Sequence, residues 1–482
     1  MAGQSTSTDP TLGQRVAGQG ALLMSGFAAG QAMAFVRNAM LGHMLAKGDF
    51  GVAAILTLLL QLLDALTDLG VDRLIVQAPD GDHPRFVATG HTALVVRGVL
   101  IAAILVAASP EIANFFAVPE VAPAILAIGL VPLIKGFQHL DARRAQRHLD
   151  NRPFVLIEIV PQAVALALTW PVVHAFPDFH AVVWLSLAQA VATLVISHAV
   201  AERRYALAVD PAILRRLFDF GWPIWLSAIP LTAVYQGDRI LVGRFIGVEE
   251  LASYSAAFLV AMVPGLIAAK AGQSLMLPLF ASARHDRAML TRRFMAMTEA
   301  TTVLAACYLV TAMLTGGLIL QIAFGPSYSG LGPIMAWLAA MWSIRMLQAV
   351  PGMVLLSAGE TKPLLVAGSI RAAAIIPAAF VAVWGWGIEA VAAMGFVGEL
   401  ASLGYVAWLL DRHVPGLSAL FAQRAALLIP AAGVAGAGLL ATPAAAVAPR
   451  AVALVLTLTV VMAAAGALMP LARTRVRGLI RA

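Results

Sequence analysis

Apolar residues run along this chain in long windows, broken by short clusters of charge, proline and glycine. Windows of this kind match the ~20 apolar residues that an α-helix needs to cross a bilayer. Boundaries drawn at the charged and Pro/Gly breaks give fourteen candidate helices, at 16–45, 50–77, 86–117, 119–142, 153–176, 179–201, 213–246, 249–283, 288–324, 328–357, 362–384, 386–411, 418–441 and 449–472. The expected fold is therefore all-α, a polytopic membrane protein of about 14 transmembrane helices. Several windows exceed the bilayer thickness, so tilt or a protruding end is expected.

Composition sharpens this picture. Of 482 residues, 61% are apolar and 12% charged, against roughly 45–50% and about 25% in ordinary soluble proteins. That balance excludes a soluble enzyme. The net charge is +7, but no solvated basic domain is long enough to hold nucleic acid. The single cysteine, Cys307, lies in an apolar run, so one chain builds neither a disulfide framework nor a thiol metal cluster. The first apolar window lacks a small-residue cleavage site and is read as a retained span rather than a signal peptide.

An even number of spans puts both termini on one side, and the loops then alternate between two sets. One set carries Arg143, Arg144, Arg147 and Arg152, then Arg203, Arg204, Arg215 and Arg216, then Arg284, Arg287, Arg292 and Arg293, and finally Arg473, Arg475, Arg477 and Arg481. The other holds little more than Lys47 and Arg450 among Asp49, Glu120, Asp178, Glu249 and Glu250. Positive charge marks the cytoplasmic side, so both termini are expected there. Loops on both sides are short and leave no place for the acidic or histidine groups of a membrane enzyme.

A self-comparison lays Gly20 on Gly221 and Gly42 on Gly243, an offset of 201 residues. The segment Arg37 to Gly51 then falls on Asp238 to Ala252. The matched spans run in the same direction, so the repeat is parallel, of the kind that encloses a central cavity in some secondary transporters. The expected organisation is a tail at 1–15, an N-lobe of six helices at 16–205, a C-lobe of six at 206–413, and a helical pair with a basic tail at 414–482.

Several blocks carry a family resemblance. Ala39-Met40-Leu41-Gly42 to Asp49-Phe50-Gly51, with Asp68-Leu69-Gly70 closing the second span, form the first. Leu217 to Pro223, Gln236-Gly237-Asp238-Arg239, Gly243-Arg244 and Tyr254 form the second. The basic loop Ala142 to Arg147 and the loop Ser357 to Lys362 agree with them. Together they resemble the polysaccharide transport family, the Wzx-type flippases of the multidrug/oligosaccharidyl-lipid/polysaccharide exporter superfamily. Gly48 stands where that family often has proline before its acidic-Phe-Gly unit. The resemblance implies a flippase that carries an undecaprenyl-pyrophosphate-linked oligosaccharide across the bacterial inner membrane by alternating access, for exopolysaccharide, capsule or O-antigen synthesis. Its expected partners are that lipid-linked substrate, membrane lipids, and the polymerase and glycosyltransferases of the pathway. H+ or Na+ would drive it. The alternatives are a peptidoglycan lipid-precursor flippase, a multidrug antiporter of the same superfamily or, from another class, a membrane polysaccharide polymerase.

Charge inside a span costs about 2.5–3.5 kcal/mol at the bilayer centre, so each such residue faces a cavity, pairs or reaches the interface. Arg37, Lys135, Arg239, Lys270, Arg345 and Arg371 are the intramembrane cations expected to meet an anionic pyrophosphate, because guanidinium and ammonium groups supply charge-assisted donors. Each has a structural alternative. Arg239 adjoins Asp238, Lys135 could pair with Glu158, and Arg97 could pair with the carboxylates of the second span. Asp64, Asp68 and Asp72 recur every four residues on one helix face, and Asp64, Asp68 and Glu299 are the candidates for ion coupling. Asp68 could instead meet Arg73. Glu389 and Glu399 are weaker candidates. No Gly-Lys-Ser/Thr phosphate loop occurs, no cofactor is implied, and the histidines lack metal-ligand spacing. His139 and His148 flank a basic loop and are read as solvated.

Overall fold

The computed structural model describes residues 12–360, 362–441 and 447–468, and every regular element among them is helical. The tail arginines Arg473, Arg475, Arg477 and Arg481 lie outside the described residues. In chain order the α-helices are α1 (Leu12–Met44), α2 (Lys47–Leu66), α3 (Val71–Gln77), α4 (Pro84–Phe115), α5 (Ala122–Ile128), α6 (Leu130–Gly136), α7 (Asp141–Arg147), α8 (Arg152–Ala175) and α9 (His180–Ala199). They continue as α10 (Pro211–Leu241), α11 (Val248–Ala281), α12 (Arg287–Phe324), α13 (Gly332–Ser357), α14 (Lys362–Ala373), α15 (Ile375–Val383), α16 (Gly387–His413), α17 (Leu417–Ala425), α18 (Leu428–Ala441) and α19 (Val447–Leu468).

Among the described residues, twelve helical segments are long and apolar enough to cross a membrane, where the sequence leads one to expect fourteen. The first and last expected spans are helical as well. However, the apolar run of α1 is broken by Gln19, Gln31, Arg37 and Asn38 although the helix is continuous, and the apolar part of α19 described is the shorter Arg450–Ala465.

Local chemistry explains where the helices start. Proline stands at the first turn of α4, α8 and α10, where its missing N–H costs nothing. Asp210 accepts the Ala212 N–H at 3.0 Å ahead of α10, and Asp286 accepts the Met289 N–H at 2.9 Å ahead of α12. Each satisfies an amide that the helix itself leaves unpaired.

The chain divides into two compact units. The first comprises the residues up to Leu45 with Leu56–Ala228, the second Ala46–Ile55 with Ile229–Ala482. Within the first, α1 packs on α8, α8 on α9, and α4 on α5 and α6. Within the second, α13 is the buried axis, with 83% of its apolar window covered, and it packs against α11, α12 and α16. There α18 and α19 lie on α12.

The motifs that carry the family resemblance are packing devices. Asp68 accepts the Gly70 N–H at 2.9 Å, and Gly70 takes the left-handed conformation (φ 65°) that turns the chain from α2 into α3. Gly221 meets this turn from α10: a β-carbon there would lie 2.4 Å from the Leu69 carbonyl oxygen, so only glycine allows the approach. In the second unit the Phe50 ring sits edge-on to Phe324 and Tyr328, with centroids 5.9 and 6.1 Å away.

Two expectations from the sequence are corrected. His139 is not solvated but 3% exposed, because its ring is engaged by backbone on both sides. Arg450 is not a loop residue; it lies in α19 and is 5% exposed.

Candidate functional site

Each unit contains its own polar site, open in the first and buried in the second. In the first unit a cavity of about 510 Å³ is lined from α2, α3, α4, α6, α7, α8 and α9. Asp64 on α2 faces Arg97 on α4. The Arg97 Nη2 donates to the Asp64 carboxylate at 3.1 Å and to its carbonyl at 2.7 Å, while Nε donates to Thr67 Oγ1 at 3.0 Å. Asp68 lies 3.4 Å from Arg73, with both side chains exposed enough that the pair contributes little. Asp72 meets Arg143 at 2.7 Å, and the Arg143 guanidinium lies over the Phe154 ring at 4.3 Å.

The remaining polar groups of this cavity are less committed. Lys135 on α6 and Glu158 on α8 both line it, and among the described residues neither forms an ion pair. Arg37 donates to Gln189 Oε1 at 2.6 Å, which leaves the Gln189 amide hydrogens for other partners. The Gln162 Oε1 is buried without a hydrogen-bond partner.

The second unit concentrates charge more tightly. Arg345 on α13 donates through both Nε, at 2.8 Å, and Nη2 to a single oxygen of Glu399 on α16. Arg371 on α14 stands 3.9 Å from the other Glu399 oxygen. Asp238 on α10 accepts the Tyr254 hydroxyl at 2.8 Å. The Arg345 guanidinium also lies over Trp342 at 4.5 Å and Tyr235 at 5.0 Å, and that of Arg239 over Phe258 at 5.1 Å. Cation–π contacts of this kind strengthen when water is excluded. A small cavity of about 20 Å³ separates Asp238, Arg345, Arg371 and Glu399, which is room for about one water.

The family is decided by the chain's own pattern: residues 40–333, more than half of its length, match the family described as "Polysaccharide biosynthesis protein". The chain belongs to that family. Among curated members it is 25% identical to the succinoglycan biosynthesis transport protein ExoT of Rhizobium meliloti (strain 1021), over 80% of this chain and 78% of that protein. It is 23% identical to the teichuronic acid biosynthesis protein TuaB of Bacillus subtilis (strain 168), over 67% and 68% of the respective lengths. Solved structures share its fold. These include the lipid II flippase MurJ in an inward closed conformation, with a TM-score of 0.71 at 9% identity over 91% of this chain and 97% of that one. An inward-facing multidrug resistance MATE family transporter of the MOP superfamily gives 0.64 at 14% identity, over 81% and 95%. This member of the polysaccharide biosynthesis family is thus an all-helical, multi-pass membrane protein of the MOP-superfamily fold, and its relatives act in polysaccharide biosynthesis and transport.

The structure sorts the residues that the sequence singled out. Asp64, Asp68 and Lys135 line the first unit's cavity, and Arg37 reaches its wall through Gln189. Arg345 and Arg371 converge on Glu399, and Arg239 lies in the same unit beside Phe258. Glu299 is buried 3.8 Å from Arg424 of α17, apart from these clusters. Lys270 lies in α11, with its side chain outside the described residues. Sequence reasoning missed Trp342, Tyr235, Gln162 and Gln189. An aromatic or amide residue inside an apolar span gives no signal until its neighbour is known. Among the described residues no cluster of His, Cys, Asp and Glu could hold a metal ion.

At the arginine-rich end of the first unit, the segment after α9 is tied down by side chains. His139 Nε2 bonds the Arg203 carbonyl at 3.0 Å, and its Nδ1 accepts the Asp141 N–H at 3.1 Å. Thr92 donates to the Ala208 carbonyl at 2.7 Å. Burial pushes the His139 imidazole below its usual range, with Asp141, His198 and Arg144 as its charged neighbours. Burial works to raise Asp141, but the Arg144 guanidinium and the Glu202 amide hold its carboxyl below the usual range. Protonating His139 removes the acceptor that the Asp141 amide uses. The stability it contributes is complete above the unfolded histidine value of ~6.5 and is lost as the pH falls below it. The hydrogen-exchange protection factor of the Asp141 amide is therefore expected to hold down to about pH 6.5 and to fall as the pH drops below it. A constant protection factor would contradict this arrangement.

Proposed function

We propose that the protein is a flippase which moves an undecaprenyl-pyrophosphate-linked oligosaccharide from the inner to the outer leaflet of the bacterial inner membrane by alternating access. The observation that carries the reading is the set of buried guanidinium donors without partners in the second unit. Arg345 and Arg371 line the small cavity with Asp238 and Glu399, Arg239 lies in the same unit beside Phe258, and the guanidinium atoms Arg239 Nε, Arg345 Nη1 and Arg371 Nε are buried without hydrogen-bond partners. A donor left unpaired in a dry site costs about 1–3 kcal/mol, more when charged, so such donors await an acceptor. A pyrophosphate provides one, since planar guanidinium forks match phosphate oxygens in geometry and charge.

In this reading Arg371 and Arg239 engage the pyrophosphate, Lys270 of the same unit has the same role, and Arg345 holds the frame through Glu399. Arg37 and Lys135 serve the first unit's cavity. Asp64 and Asp68, with Glu299, are the carboxylates assigned to H+ or Na+ coupling. The polymerase and glycosyltransferases of the pathway act on either side of this step, and both termini lie in the cytoplasm.

Deleting the gene tests the reading. The expected result is a viable strain that lacks the surface polymer and accumulates the lipid-linked repeat unit on the inner leaflet. Single unpolymerised repeats on the outer surface would instead assign a polymerase. Lethality would assign a peptidoglycan-precursor flippase, and drug sensitivity with normal polymer a multidrug antiporter.

A further inference from the structure

The cavity of the first unit differs in kind from the arginine cluster of the second. Its volume of about 510 Å³ is far above the ~10–15 Å³ that a single water needs and falls within the ~300–1,000 Å³ of small-ligand sites. It therefore suits an organic ligand rather than a lone ion. Its lining charges largely compensate one another instead of accumulating, and Asp68 is the one carboxylate whose partner, the exposed Arg73 at 3.4 Å, lies off the cavity wall. Asp64 is held by Arg97 and Asp72 by Arg143, and Lys135 and Glu158 oppose each other in sign.

What remains unspent is a set of hydrogen-bonding groups of both senses. Lys135 offers three donors and Glu158 two acceptor oxygens. The Gln189 amide hydrogens are free because Arg37 uses only the oxygen. Gln162 presents a buried oxygen that has no partner. A buried acceptor without a donor is a cost the fold carries unless a ligand relieves it. Alternating donors and acceptors with no net charge match a polyhydroxylated ring, in which every hydroxyl both donates and accepts. An anion would leave Glu158 and Gln162 Oε1 unpaired, and a cation would leave Lys135 unpaired.

We propose that this cavity is a saccharide subsite that holds a net-neutral sugar portion of the cargo, with Lys135, Glu158, Gln162 and Gln189 as its hydrogen-bonding contacts. The inference rests on the flippase reading but concerns a separate place in the molecule: the sugar is recognised within the first unit, whatever holds the pyrophosphate.

The chain's single cysteine makes the test direct. In a Cys307→Ser background, Thr193→Cys places a thiol on the cavity wall, and Leu207→Cys places a control thiol on the exposed segment after α9. Membrane vesicles are prepared from cells that complete the lipid-linked repeat unit and from cells unable to transfer the first sugar to the lipid carrier. Maleimide labelling of Thr193→Cys is expected to be about tenfold slower in the first vesicles when the glycolipid stands near ten times its Kd. Leu207→Cys should label equally in both. Adding Gln162→Leu should abolish the protection while the protein remains in the membrane at its normal level.

Equal labelling of Thr193→Cys in the two preparations would overturn the subsite, whether the cavity then holds water, an ion or the lipid headgroup. That failure is distinguishable from failure of the flippase reading. If the deletion strain still loses export while Thr193→Cys is unprotected, only the saccharide subsite is wrong.

Discussion

Replacing Glu399 by alanine is expected to remove most of the folded protein from the membrane. Its side chain is 2% exposed and accepts two hydrogen bonds from Arg345, itself 9% exposed, while Arg371 stands 3.9 Å away. Deleting the carboxylate leaves two guanidiniums close together in a buried site, with Asp238 as the remaining carboxylate on the same small cavity and the two hydrogen bonds of Arg345 lost. Breaking a buried pair from one side costs about 3–5 kcal/mol, a large share of the ~5–15 kcal/mol that holds a typical domain together. The measurement is the amount of monodisperse protein recovered from membranes in mild detergent. The double variant Arg345→Met with Glu399→Leu should recover much of that yield, because an apolar pair of similar volume avoids the desolvation of both charges. Wild-type yield for Glu399→Ala alone would show that the pair does not hold the unit together.

Arg371→Ala should behave in the opposite way, leaving the protein level close to wild type and lowering polymer export by about tenfold or more. Arg371 is more accessible than Arg345, at 22%, its approach to Glu399 is long, and its Nε has no hydrogen-bond partner. Removing it therefore takes little from the fold. A charge-assisted hydrogen bond to cargo contributes about 1.5–3 kcal/mol, and 1.4 kcal/mol is a factor of ten. Arg371→Lys should restore export only in part, since lysine keeps the charge but loses the planar fork of donors. Export is read as surface polysaccharide in the complemented deletion strain. Full export by Arg371→Ala would remove Arg371 from the cargo site. The two substitutions separate a structural role from a cargo role, a distinction invisible in the sequence because Arg345 and Arg371 are equally isolated on their own helices.

The helical architecture was legible from the sequence because a bilayer imposes length and apolarity on every crossing segment, whatever its neighbours. Ten of the expected spans, from 86–117 to 386–411 without a break, reappear as single helices or as helices broken once or twice; Gly129, a weak helix former, separates α5 from α6, while the break at Ala374 between α14 and α15 has no such local signal. The ends of the chain were harder. The first window mixes glutamine and arginine into an apolar stretch, and hydropathy alone does not count α1 as a span. The motifs behind the family resemblance were visible, but not their purpose. That Gly221 admits the Leu69 carbonyl and that Asp68 caps the Gly70 turn are facts of three-dimensional approach.

By itself the sequence determined the class of the molecule, the family whose pattern it carries and the inventory of costly intramembrane charge. These follow from local composition: a charge in an apolar window must be compensated somewhere. Where it is compensated was decided by the tertiary structure. Glu399 looked like a weak candidate for ion coupling and is the anion on which Arg345 and Arg371 converge. Lys135 and Glu158 looked like a ready ion pair and face a cavity unpaired instead. Partners on different helices are separated by dozens of residues of chain, 54 between Arg345 and Glu399, and no periodicity within one span records which face meets which neighbour. The polar cavity of the first unit, with its largely compensated charges and its unpaired Gln162 oxygen, exists only once seven helices are packed around it.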